Sequence, residues 1–203
     1  MLKRGFTLVE LLVVISIVSL LSSMSLAAMS EARYKANNSA INSQMLQYRN
    51  AIELYASDHN GYYPVPNNNS EEILFACLGT YNSPAPYAGG KCGKSSLTVN
   101  PSTSLTNSLI IPGYLRTFPP ISKGPVTFSD STQWLGAIYE CDPLLAGNSL
   151  ALGCRSAYAL WYIAKPSQNC APGKAILAGV DPVTQQNITD DPLLTLCQLN
   201  FGA

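Results

Sequence analysis

Leu11 to Met29 is apolar apart from small serines, and further along the chain the apolar positions turn periodic. The first stretch is long enough to span or nearly span a bilayer, for which about 20 residues are needed. Beyond it, Ile41, Met45, Tyr48, Ile52 and Tyr55 recur at spacings of four, three, four and three. That stripe is one face of a helix lying on a core. No proline or glycine interrupts residues 6–60, so the two patterns predict one helix from Phe6 to about Ser57. Asn60-Gly61 supplies a left-handed cap after it, and Pro64 and Pro66 prevent continuation.

Residues 64–123 are rich in Asn, Ser, Gly and Pro and hold no sustained period; short helices are expected around Glu71 to Leu78 and Ser102 to Leu109. Trp134 to Cys141, Ala157 to Ala164 and Ala175 to Val180 are short aromatic and β-branched runs bounded by turn formers, which reads as an antiparallel sheet. Helix first and sheet afterwards gives an α+β fold: a long N-terminal helix packed on a C-terminal β-sheet head.

Glu10 is the only charged residue between Phe6 and Glu31. A carboxylate inside such an apolar run costs roughly 2.5–3.5 kcal/mol on the insertion scale, and residues of this kind usually have a function. Lys3 and Arg4, just before the run, hold its start in the cytoplasm by the positive-inside rule and direct the rest of the chain outward.

Over Gly5-Phe6-Thr7-Leu8-Val9-Glu10-Leu11-Leu12-Val13-Val14-Ile15 the sequence resembles the N-terminus of type IV prepilins and type II secretion pseudopilins. The resemblance implies a leader of residues 1–5 cut after Gly5. It implies an N-methylated Phe6 as the mature N-terminus, and Glu10 as the acidic fifth mature residue. Residues 6–29 then form the transmembrane and assembly part of the helix, and residues 30–203 the exported head. Phe6 and Glu10 together become assembly residues: cleavage frees an α-amine, and in a helical array the amine of one subunit approaches the carboxylate of its neighbour. The turn Asp58-His59-Asn60-Gly61-Tyr62-Tyr63-Pro64 resembles the segment after the long helix of the major pseudopilins. One departure is Ala27, where many type IV pilins carry a proline. Ser16, Ser19 and Ser23 form a small-residue stripe that reads equally as a helix-contact face or as incidental lipid-facing serines.

The competing reading is a secretory signal peptide cut near Ala27 or Ala28. A carboxylate in its apolar region and a run longer than the usual 7–15 residues count against that.

Composition narrows the rest. The 203 residues carry net charge 0, 12% charged residues, 14 Gly and 14 Pro, consistent with one domain outside the anchor. The 12 Lys and Arg are scattered, so no nucleic-acid footprint is indicated. Cys77, Cys92, Cys141, Cys154, Cys170 and Cys197 all follow the apolar segment, and an even count in an exported chain reads as disulfides. Six cysteines allow 15 connectivities. One set joins sequence neighbours, Cys77 with Cys92, Cys141 with Cys154 and Cys170 with Cys197. The family resemblance favours the last pair, because many pilins staple a C-terminal loop, and the exact set stays open.

Catalytic chemistry finds little purchase. His59 is the only histidine and sits at a helix end, and no phosphate loop, His-Glu-x-x-His or nucleophile elbow appears. The reading is therefore not an enzyme and needs no cofactor or metal. The loop of residues 181–191 offers the hard oxygens calcium prefers, without EF-hand spacing. Because the major pseudopilins bind calcium in a loop of the C-terminal sheet, the resemblance makes Asp181, Asp190 and Asp191 calcium candidates, against the preferred reading of a solvated loop.

The expected role is a structural subunit, major or minor, of a type IV pilus or related filament, or a type II secretion pseudopilin. Its partners would be copies of itself and other pilins, the prepilin peptidase and the inner-membrane assembly platform. Its location would be the cytoplasmic membrane as a single-pass protein, then a surface pilus or periplasmic pseudopilus. The alternative of another class is an exported or membrane-anchored binding protein that does not polymerise.

Overall fold

One helix, α1, occupies Leu8–Asp58 in the computed structural model, which describes residues 7–66, 75–79, 81, 85–86, 88, 91–94, 97–117, 126–129, 131–141, 153–164, 169–176, 179–180, 187–188 and 194–202. The chain divides into two compact units, Met1–Ala36 and Asn37–Ala203. In the first unit every described side chain is exposed, including the apolar ones from Leu8 to Met24. The continuous apolar run builds no core within its own unit. In the second unit the periodic stripe does: Met45, Tyr48, Ala51, Ile52 and Ala56 are buried, with Ile41 and Tyr55 packed at the margin.

The helix stops where the sequence says it should. The Gly61 N–H donates to the Ala56 carbonyl at 2.8 Å, and Asn60 takes the left-handed conformation at φ 56°. This six-to-one bond with a left-handed residue inside it is a Schellman cap.

The head is built from short strands: β1 (Phe75–Cys77), β2 (Cys92–Lys94), β3 (Leu97–Val99), β4 (Val126–Thr127), β5 (Gln133–Leu135), β6 (Ala137–Glu140), β7 (Ala157–Ala164), β8 (Lys174–Ile176), β9 (Gly179–Val180), β10 (Asn187–Ile188) and β11 (Leu194–Phe201). A short helix, α2 (Thr103–Ile110), lies between β3 and β4. Five strands form an antiparallel sheet in the order β1-β6-β7-β11-β8; four form a second in the order β3-β2-β5-β4; β9 and β10 pair with each other.

The five-stranded sheet is apolar on both faces. Along β7, Ala157, Ala159, Trp161 and Ile163 join the α1 stripe, whereas Leu160 and Tyr162 join Trp134, Leu135 and Cys92 of the four-stranded sheet. On β11, Cys197, Leu199 and Phe201 take the helix side, and Leu194 and Leu196 the other. Period-two alternation thus sorts residues between two cores, not between core and water. Helix, sheet and sheet stack as three layers. This is the α+β arrangement expected from the order of the patterns.

Three local expectations are corrected. The helix proposed around Glu71 to Leu78 is excluded over its described part, because Phe75–Cys77 is strand β1, paired with Ile138–Glu140. The run from Trp134 to Cys141 is two strands in different sheets, separated by Gly136 at φ 81°, where an added Cβ would come within 2.5 Å of the Tyr81 ring. The run from Ala175 to Val180 likewise divides, β8 into the large sheet and β9 into the pair with β10. By contrast, α2 falls where the Ser102 to Leu109 segment pointed, with the Ser102 hydroxyl accepting from the Leu105 N–H at 3.1 Å as N-cap.

Candidate assembly site

The N-terminal turn of α1 is closed by its own side chains. The Thr7 backbone N–H and the Thr7 hydroxyl both donate to Glu10 Oε2 at 2.8 Å, and the Glu10 N–H donates back to Thr7 Oγ1 at 3.2 Å. This is a capping box, in which a threonine at the N-cap and a glutamate three residues on satisfy each other's orphan donors. Glu10 therefore does two jobs with one carboxylate: it sits where the positive end of the helix dipole favours an anion, and it tolerates an apolar surrounding because local donors solvate it. Both bonds that the carboxylate accepts fall on Oε2. Gly5 and Phe6 lie outside the described residues.

The serines that follow solve the same problem. Ser16, Ser19 and Ser22 donate to the carbonyls of Leu12, Ile15 and Val18 at 2.8, 2.7 and 2.8 Å, and Ser23 to that of Leu20 at 2.8 Å. Each hydroxyl is satisfied inside the helix, as a hydrocarbon environment requires. Charge returns with Glu31 and Lys35, ion-paired at 2.7 Å one helical turn apart. The glutamate is held below the usual carboxylate range by the hydrogen bond and charge of that lysine. By length and composition α1 is able to cross a membrane.

Behind this helix the head is stapled three times. Cys77 is bonded to Cys92, Cys141 to Cys154 and Cys170 to Cys197, with Cα–Cα distances of 5.7, 6.0 and 5.4 Å. These are the neighbour pairings. The first ties β1 of one sheet to β2 of the other, and the third ties the turn before β8 to β11. All six cysteines are buried.

His59 stacks on Tyr55, with ring centroids 3.8 Å apart, and its Nδ1 lies 2.8 Å from the Tyr55 carbonyl oxygen. It belongs to the helix end. Among the described residues no group of three or more His, Cys, Asp or Glu is placed to hold a metal. Asp181, Asp190 and Asp191 lie outside the described residues.

The family model for the prokaryotic N-terminal methylation motif matches residues 1–26, the segment that holds the capping box. The N-terminus is of the prepilin type. Similarity to known proteins beyond this prepilin-type motif covers only part of the chain. The chain is 34% identical over 74 residues to the type II secretion system core protein G of Escherichia coli K12, covering 36% of this chain and 50% of that protein. It is 41% identical over 59 residues to the prepilin peptidase-dependent protein D of the same organism, covering 29% and 40%. It is 30% identical over 82 residues to the type IV wide pilus major component PilA4 of Thermus thermophilus, covering 40% and 58%. The chain thus spans about half the length of these relatives. No solved structure matches it.

Sequence reasoning named Glu10 and missed Thr7. The signal was present, because Thr7-Leu8-Val9-Glu10 before an apolar run is the Thr-x-x-Glu signature of a capping box.

Proposed function

We propose that the chain is a structural, non-enzymatic subunit, a major or minor pilin, of a type IV pilus or related filament. The observation that carries this reading is an apolar helical stretch, exposed within its own unit, that begins at a charged capping box inside a prepilin-type motif. Soluble monomers rarely leave a contiguous apolar surface of this size uncovered. Lipid covers it first, with Lys3 and Arg4 on the cytoplasmic side, and the helices of neighbouring subunits cover it in the filament.

Maturation after Gly5 by a prepilin peptidase gives Phe6 a free α-amine, which is then methylated. Glu10 Oε2 is engaged by Thr7, so Oε1 is the oxygen offered to the amine of an adjacent subunit. Each charge offsets the desolvation of the other. Removing one partner of a buried pair costs about 3–5 kcal/mol, which makes the contact a register device for subunits delivered by an inner-membrane assembly platform. The disulfide-stapled head is carried outside the helical bundle. Residues 1–5, 6–29 and 30–203 are thus leader, assembly helix and exported head.

The second reading is a type II secretion pseudopilin, favoured by the similarity to a type II secretion system core protein. It shares the helix and the processing, and differs in where the filament ends, periplasm against cell surface. Incorporation tests the common claim: Glu10→Val chains are expected to be inserted and cleaved but largely absent from the filament fraction. Filaments of normal number and length from that variant overturn the register argument, and recovery of wild-type chain only as a non-polymerised exported protein overturns the filament reading.

A further inference from the structure

The head contains a cavity of about 430 Å³ lined by residues from three elements: Arg49 of α1, Pro172, Gly173 and Lys174 at the start of β8, and Gln198 and Asn200 of β11. Its size is that of a small-ligand site. The charged residues lining it are both cations, in a chain whose net charge is 0. Arg49 and Lys174 are exposed, and among the described residues neither forms an ion pair or hydrogen bond. Among the described residues, no anion is paired with the cations at this cavity.

The frame around them is fixed. Lys174 stands opposite Gln198 in the β8–β11 ladder, and the Gln198 amide donates to Asn200 Oδ1 at 2.6 Å. Gly173 lets the backbone close onto β11, because an added Cβ would collide with the Gln198 carbonyl oxygen and come within 2.7 Å of the Trp161 ring. The Gly173 N–H donates to the Cys170 carbonyl at 2.6 Å, and the Cys170–Cys197 disulfide binds that turn to the residue before Gln198. Two cations with no partner among the described residues and two carboxamides on a braced wall suit an oxyanion, since guanidinium geometry matches carboxylate and phosphate and the ammonium adds a point charge.

We infer that this cavity binds an oxyanion group, a carboxylate or a phosphate, through Arg49 and Lys174. The group has two possible sources, a small anionic solute or an acidic side chain of a second copy of the chain.

Titration of inorganic phosphate into the full chain in zwitterionic micelles at low ionic strength, with chloride at matched ionic strength as reference, tests the inference. Saturable binding is expected for the wild type, weakened about tenfold in Arg49→Gln and in Lys174→Gln and lost in the double variant. Arg116→Gln, at a cation outside the cavity, is expected to bind as the wild type does. All three positions are exposed, and unchanged melting of the variants shows that the head is intact. Phosphate affinity that falls as the chain self-associates, with phosphate opposing association, assigns the oxyanion to a second copy; affinity independent of chain concentration assigns it to a solute. No saturable binding by the wild type, or an equal loss in Arg116→Gln, overturns the inference.

Discussion

Thr7 and Glu10 cap the helix reciprocally, with two Thr7 donors on one carboxylate oxygen at 2.8 Å and the Glu10 N–H returned to the Thr7 hydroxyl at 3.2 Å. The glutamate is therefore not an isolated charge waiting in an apolar segment. It is positioned before any partner arrives, and Thr7 does the positioning.

Graded substitutions follow from that geometry. Thr7→Val keeps the backbone donor and removes the hydroxyl, a cap loss of about 0.5–2 kcal/mol. Its incorporation into filaments is expected to fall between that of wild type and Glu10→Val, with Thr7→Ser near wild type. Quantifying the chain in sheared filaments from competing co-expression checks the order, and a Thr7→Val level as low as Glu10→Val contradicts it.

The Cys170–Cys197 bridge closes a loop of sequence separation 27 and joins the turn before β8 to β11. Cys170→Ser and Cys197→Ser are each expected to destabilise the head by about 2–5 kcal/mol. The double variant should be no worse than either single one, because both remove the same bond. Denaturant midpoints of the three variants decide this, and an additive double loss is the contrary result.

Alkaline pH should unfold the head through its tyrosines. Burial pushes the hydroxyls of Tyr48, Tyr81 and Tyr139 well above the ordinary range near 10, and the hydrogen bond from Tyr114 to Asp58, at 2.7 Å, pushes Tyr114 up to about 12. A folded pKa above the unfolded one contributes stability that is complete below about pH 10 and is lost as pH rises through the folded value. Melting temperature should therefore not fall on account of these groups until about pH 10, and should fall beyond it. Tyr114→Phe should make the decline between pH 10 and 12 shallower. A melting temperature that rises above pH 10 contradicts the assignment.

What was legible in the sequence divides by environment. The stripe from Ile41 to Tyr55 was readable because one helix face is buried and the other wet. β7 was readable as a strand from its run of aromatic and β-branched residues. β11 passed unnoticed, although it is the strand between β7 and β8, because Leu194, Thr195, Leu196 and Cys197 are buried in succession and erase the polar alternation. A strand covered on both faces shows no wet side to the reader. The split at Gly136 needed the position of Tyr81, far off in sequence, to become visible. At the assembly site, Glu10 stood out by charge, whereas Thr7 hid in an ordinary-looking tripeptide step. Arg49 and Lys174 were unremarkable until α1 and β8 brought them to one cavity.

The mature N-terminus tests the central claim most directly. Mass spectrometry of the chain from its native membrane or filaments is expected to show N-methylated phenylalanine at Phe6, and Gly5→Val should leave a full-length, membrane-retained precursor. A mature chain beginning near Met29, or normal maturation of Gly5→Val, contradicts the account.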